Sequence, residues 1–266
     1  MPKTSRRRIQ INGHQIYVEI TGSNLRPSVV MLHHGLGSTA AWKAQVPVLA
    51  GSGYQVIAYD RWGYGRSDPR QSLGVPDFEA DRQDLIALLD ELGISRANLV
   101  GHSDGGTIAL YFAAQYPERV QSVVTIAAHI YVEPRMEPGI LGVQMAFEND
   151  LRFRAMLKRH HGDNTDAVFA NWFNGWVRLE NREWSMQSHL HKISCPVWVV
   201  QGMEDEHATP KHARDIAESI PGAELWLAPG ARHMLPQEMA GEFNRRLMIF
   251  LAKTIKSKLN QVGSSG

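Results

Sequence analysis

The 266-residue chain holds a single cysteine, Cys195. One thiol cannot close an internal disulfide, which makes a reducing compartment the default expectation. Net charge is equally scarce: 28 basic residues face 27 acidic ones, for a formal +1. That balance removes any overall pull toward nucleic acid or anionic lipid. No long hydrophobic run is present, and the longest, around residues 122–132, is broken by polar residues and falls short of a membrane span. The basic start MPKTSRRRIQ has no apolar stretch behind it of the kind a signal peptide needs. Internal repeats and low-complexity linkers are lacking too. These absences predict a soluble, cytoplasmic protein that binds neither nucleic acid nor membrane.

What is present is ordinary globular material, 43% hydrophobic and 21% charged. A chain of this length can bury a sizeable core without metal or disulfide staples. Short apolar runs at residues 16–20, 29–32, 55–59, 97–100, 120–127, 196–200 and 224–227 read as strands. Helical patterns lie between them, at 42–49, 77–92, 107–116 and 238–259, with Pro210 opening another at a first helical position. Leu85, Leu88, Leu89 and Leu92 recur at the helical period before Gly93. The alternation predicts an α/β fold, a mostly parallel sheet with helices on both faces. From residue 129 to 192 no strand pattern appears. The expected organisation is a core of residues 1–128 and 193–260, a helical lid inserted at 129–192, and a flexible tail at 261–266. Arg6, Arg7 and Arg8 read as a solvated end.

The strongest chemical signal is Gly101-His102-Ser103-Asp104-Gly105, a G-x-S-x-G between a predicted strand and a helix. A sharp strand-to-helix turn strains the serine backbone, and only tiny side chains fit two residues to either side. Ser103 then projects above the sheet at the positive end of the next helix. A nucleophilic serine needs a base, and the base needs an orienting group. Asp205 and His233 follow two later strands, giving the chain order Ser, Asp, His. Asp205 is favoured over Glu204 and Glu206 because it stands three residues after Gly202; the two glutamates read as facing solvent or the lid. The Asp104 backbone N–H supplies one oxyanion donor, and Leu36, in the glycine-rich turn His33-His34-Gly35-Leu36-Gly37, supplies the second.

Five segments carry a family resemblance: HHGLGS at 33–38, DRWGYGRSD at 60–68, GHSDGG at 101–106, GMED at 202–205 and the His233 loop. Through them the chain resembles the α/β-hydrolase superfamily over residues 15–130 and 195–252. Serine in the elbow separates it from relatives that use aspartate there, the dehalogenases and epoxide hydrolases. It looks like the small lidded esterases, including amino-acid-ester hydrolases with aspartate after the serine, and is similar to carbon–carbon hydrolases of ring-cleavage pathways. The resemblance implies a cofactor-free ester hydrolase, with carbon–carbon cleavage or non-catalytic ligand reception as the alternatives.

Secondary candidates remain. The Asp104 carboxylate must point away from the oxyanion; a structural hydrogen-bonding role is weighed against selection of a cationic substrate group. His34, Asp104, Trp62, Trp172 and Trp176 are the expected pocket residues, with packing the plainer reading of the lid tryptophans. His102 is expected to pack under the elbow, and His129 and His207 are further candidates to face the pocket. His160, His161, His189 and His191 lack a carboxylate at ligand spacing, so no metal site is expected. Asp60 and Arg66 read as a paired or capping couple in their turn. Cys195, without a base, reads as structural.

Overall fold

The structure, a computed structural model, describes residues 2–263. Eight strands form one sheet: β1 (Thr4–Ile11), β2 (His14–Thr21), β3 (Ser28–Leu32), β4 (Gln55–Asp60), β5 (Ala97–His102), β6 (Val120–Ile126), β7 (Val197–Gly202) and β8 (Glu224–Ala228). Their order is β1-β2-β4-β3-β5-β6-β7-β8. The first two pairings are antiparallel and every later one is parallel.

Strands β3, β4, β5 and β7 are buried along their whole length, as uninterrupted apolar runs require in a sheet covered on both faces. Alternate residues feed opposite cores. Val30, Leu32, Leu99 and Val199 pack with α2 (Glu79–Glu91), α3 (Asp104–Gln115) and α8 (Lys211–Ser219). Val29, Met31, Val100 and Trp198 pack with α1 (Val46–Gly51) and α10 (Ala240–Gly263). Between β6 and β7 lie α4 (Met136–Asn149), α5 (Leu151–His161), α6 (Thr165–Val177) and the short α7 (Gln187–Leu190). Asp150 caps α5 by accepting the Arg152 N–H at 2.8 Å. No helix among the described residues is long and apolar enough to cross a membrane.

Several expectations need correction. The stretch around Arg6–Arg8 is not a solvated end but part of edge strand β1, whose side chains are mostly exposed until Ile9 and Ile11. Arg6 pairs with Glu19, and Arg8 with Asp68. The helix expected at 42–49 is instead a 3₁₀ turn over Thr39–Trp42 followed by α1, which carries Pro47 in its first turn. Helix α3 starts at Asp104, directly after the serine. Pro210 takes the N-cap position of α8, one place earlier than expected. The closing segment divides into α9 (Leu235–Glu238) and α10. Because α10 runs to Gly263, the first half of the expected tail is helical; residues 264–266 lie outside the described residues.

Candidate active site

Ser103 occupies the turn from β5 into α3 with φ +54° and ψ −119°, a strained conformation for a residue with a β-carbon. Its N–H donates to the Ile126 carbonyl at 2.8 Å, which ties the elbow to the end of β6. The flanking glycines are sterically required. A β-carbon on Gly101 would lie 2.1 Å from the Gly105 carbonyl oxygen, and one on Gly105 would lie 2.2 Å from that of Leu32. Neither neighbour is a side chain that can swing away.

His233, in the loop after β8, points Nδ1 at both oxygens of Asp205, at 2.9 and 3.1 Å. Asp205 also accepts the N–H groups of His207 at 2.8 Å and Ala208 at 3.3 Å, and the Gln201 amide at 2.8 Å. Burial alone would raise its pKa, but His233 and these donors hold the carboxyl well below the usual range. The same pairing acts on His233 in the opposite sense. Burial disfavours the imidazolium, yet Asp205 raises its pKa above the ordinary value.

Ser103, His233, Leu36 and Asp104 line one cavity of about 700 Å³, together with His34, Trp172 and Trp176. Of the expected pocket residues, Trp62 is misplaced. It is not among those lining residues; it stacks on His14 at 4.0 Å and donates its indole N–H to the Pro69 carbonyl. The Leu36 turn is held from two sides. His33 is buried, with Nδ1 donating to the His34 carbonyl at 2.8 Å and Nε2 accepting the Arg61 N–H at 3.1 Å. On the other side His161 bridges Gly65 N–H and the Leu36 carbonyl, each at 3.0 Å. His102 reaches the His233 carbonyl at 2.9 Å, so it braces the histidine loop from beneath the elbow.

The Asp104 carboxylate turns away toward Arg61, 3.5 Å distant. Burial pushes its pKa up to about 6 despite that cation. Arg61 is a residue the sequence did not single out: its charged head is wholly buried, also meets Asp81 at 3.0 Å, and lies over the Tyr64 ring. Glu206 was read as facing solvent or the lid. It lines the cavity, and its carboxylate accepts the His233 N–H at 3.1 Å while pairing with Arg232. Asp60 caps the backbone N–H groups of Thr39 and Arg66 instead of pairing with the Arg66 side chain, which reaches Glu19. Cys195 is buried and its thiol is pushed up to about 11. Among the described residues no group of three or more His, Cys, Asp or Glu side chains is arranged to hold a metal ion.

With fold and site in view, comparison with known proteins gives the class. The alpha/beta hydrolase fold family matches residues 27–182, and the chain belongs to that family. Serine hydrolase BPHL of Homo sapiens is 29% identical over 249 residues, covering 92% of this chain and 85% of that protein. A 2-hydroxy-6-oxo-6-phenylhexa-2,4-dienoate hydrolase of Burkholderia cepacia is 26% identical over 255 residues, covering 85% of this chain and 87% of its own. Among solved structures, the enol-lactonase of Burkholderia xenovorans LB400 superposes with a TM-score of 0.76 at 23% identity, covering 92% of this chain and 100% of that one; at that identity the likeness speaks for the fold. The family and these relatives support hydrolysis as the activity.

Proposed function

We propose that the protein is a serine hydrolase that cleaves a carboxylic ester of a small molecule through an acyl-enzyme. Ser103 Oγ attacks the carbonyl carbon and His233 Nε2 takes its proton. Asp205 holds the Nδ1–H tautomer and stabilises the imidazolium. The backbone N–H groups of Leu36 and Asp104 receive the oxyanion, each donor contributing roughly 10²–10³ in rate. Protonated His233 gives its proton to the departing alcohol, and as a base again it activates the water that releases the acid. The helices of residues 129–192 serve as a lid: Trp172, Trp176, Met136 and Phe153 from that segment line the cavity above Ser103.

One observation carries the reading. A strained serine shares a cavity with a histidine whose far nitrogen is already fixed on a buried, multiply hydrogen-bonded carboxylate. The test is covalent labelling by a fluorophosphonate together with turnover of phenyl and alkyl esters. Both vanish in Ser103→Ala, and undiminished labelling of that variant would refute the assignment. Carbon–carbon hydrolysis is the second reading, favoured by the likeness to the Burkholderia cepacia hydrolase. Against it, Glu206 stands at the cavity wall beside His233, and its carboxylate, although paired with Arg232, disfavours an anionic substrate.

A further inference from the structure

The main chain of His233 is held as firmly as its ring. Its carbonyl accepts from His102 Nε2 at 2.9 Å, and its N–H donates to Glu206 Oε2 at 3.1 Å. The strand ladder ends at Ala228, so this buried N–H depends on a side-chain acceptor. Asp205 and Glu206 are successive residues of one loop. A single stretch of chain therefore grips the histidine twice, by the ring and by the backbone. The grip is itself supported. Glu206 Oε1 accepts from the Arg232 guanidinium at 3.0 Å, and the Arg232 N–H donates to Glu238 at 2.9 Å. Helix α4 meets the same loop at Gly139, where a β-carbon would stand 2.7 Å from the Glu206 carbonyl oxygen.

Glu206 also stands out by charge. Four other histidines face His233: His102 with its ring 5.1 Å away, His129 at 6.0 Å, His207 at 4.5 Å, and His34 from the Leu36 turn. Of these, His34, His129 and His207 line the cavity. Burial holds all four below the ordinary histidine range, which leaves them uncharged near neutral pH. The charges that remain around His233 are those of Asp205, Glu206, Arg232 and Asp104, the last offset by Arg61. Burial works against the imidazolium, and Asp205 first and Glu206 after it work in its favour.

We propose that Glu206 is a positioning residue for the hydrolysis: its hydrogen bond to the His233 N–H fixes where the imidazole stands, and its negative charge favours the imidazolium formed as Ser103 gives up its proton. The assignment rests on the ester-hydrolase reading for the reaction it serves. Asp205 sets the tautomer and the plane of the ring; Glu206 sets the backbone from which that ring projects.

The test compares Glu206→Gln, which keeps an acceptor and drops the charge, with Glu206→Leu, which drops both. NMR titration in the Ser103→Ala protein follows the His233 ring without any turnover. At fixed ionic strength its midpoint is expected to fall by about 0.3–1 pH unit in both variants, the scale of one partly exposed charge several ångströms away. Asp104 titrates at about 6 in each of these proteins, so its contribution cancels in the comparison. With Ser103 restored, ester kcat on the alkaline plateau is expected to fall about tenfold or more in Glu206→Leu with KM little changed. It stays within about threefold in Glu206→Gln. A purely structural brace would be rescued by glutamine without moving the His233 midpoint. An unmoved midpoint, a kcat indifferent to Glu206→Leu, or a Glu206→Gln loss as deep as that of Glu206→Leu would overturn the proposal. Absence of ester turnover in the unsubstituted protein strikes the hydrolase reading instead, and the titration still decides whether Glu206 acts on His233.

Discussion

The Asp104 carboxylate lies 3.5 Å from the Arg61 guanidinium, and both side chains are buried. Asp81 sits on the same guanidinium and also takes Arg70 at 2.9 Å, so two cations and two carboxylates balance one another behind the proposed oxyanion hole. The pairing keeps the Asp104 charge turned from the place where negative charge develops. Removing the cation leaves Asp104 uncompensated in a site that water does not reach. Arg61→Met is accordingly expected to lose about 3–5 kcal/mol of stability, the scale for breaking a buried pair from one side. Urea unfolding measures it, and a loss under about 1 kcal/mol would show that the network contributes little.

The same pair makes stability depend on pH in an unusual direction for an aspartate. Burial, only partly opposed by Arg61, places the folded Asp104 carboxyl at about 6 against an ordinary 3.8. Between those values the folded state holds a proton that the unfolded chain has released. This group's contribution therefore falls as pH rises through the window. Asp104→Asn lacks the titration. Unfolding both proteins at several pH values from about 4 to 6.5 is expected to show the native chain losing about 1–3 kcal/mol relative to the variant. A flat difference would contradict a raised carboxyl.

His233 titrates the other way, and its consequence is kinetic. It must be neutral to accept the Ser103 proton, and Asp205 raises its pKa above 6.5. Ester kcat/KM is expected to climb with pH along a single basic limb whose midpoint lies above 6.5. Asp205→Asn removes the carboxylate and leaves the wrong tautomer, with kcat lower by about 10⁴ and the limb shifted to lower pH. A pH–rate profile unchanged by that substitution would show that another residue orients the histidine.

Much of this architecture was legible in the sequence wherever one local pattern had one physical cause. Unbroken apolar runs gave the buried strands, and a glycine on either side of Ser103 gave the elbow. The Ser103, Asp205, His233 order gave two residues that line one cavity and a carboxylate that holds the histidine, and the strandless stretch gave helices α4 to α7. What was hidden depends on partners distant in the chain. β1 escaped notice because an edge strand buries only Ile9 and Ile11 while its other side chains face outward. Arg61 reads as a turn residue until Asp81 and Asp104 close around it. Trp62 stands in the loop that leads to the site, yet stacking on His14 turns it elsewhere. His161 belongs to a helix end whose packing no periodicity predicts, so the sequence could weigh it only as a metal ligand and not see its grip on the Leu36 turn.

That grip carries a prediction of its own. His161 is the last residue of α5, and its Nε2–H donates to the Leu36 carbonyl while Nδ1 accepts the Gly65 N–H. Burial pushes its pKa down to about 4, so the ring is neutral above that and both bonds stand. It thereby links the helices over the cavity to the peptide proposed to bind the oxyanion. His161→Phe keeps an aromatic ring beside Tyr64 but strands a donor and an acceptor, for a stability loss of about 1–3 kcal/mol. A loosened Leu36 N–H weakens an interaction made only in the transition state, so kcat should fall about tenfold with KM little changed. Steady-state kinetics on a p-nitrophenyl ester separates the two parameters. A raised KM at constant kcat would mean that His161 shapes the cavity without positioning the donor.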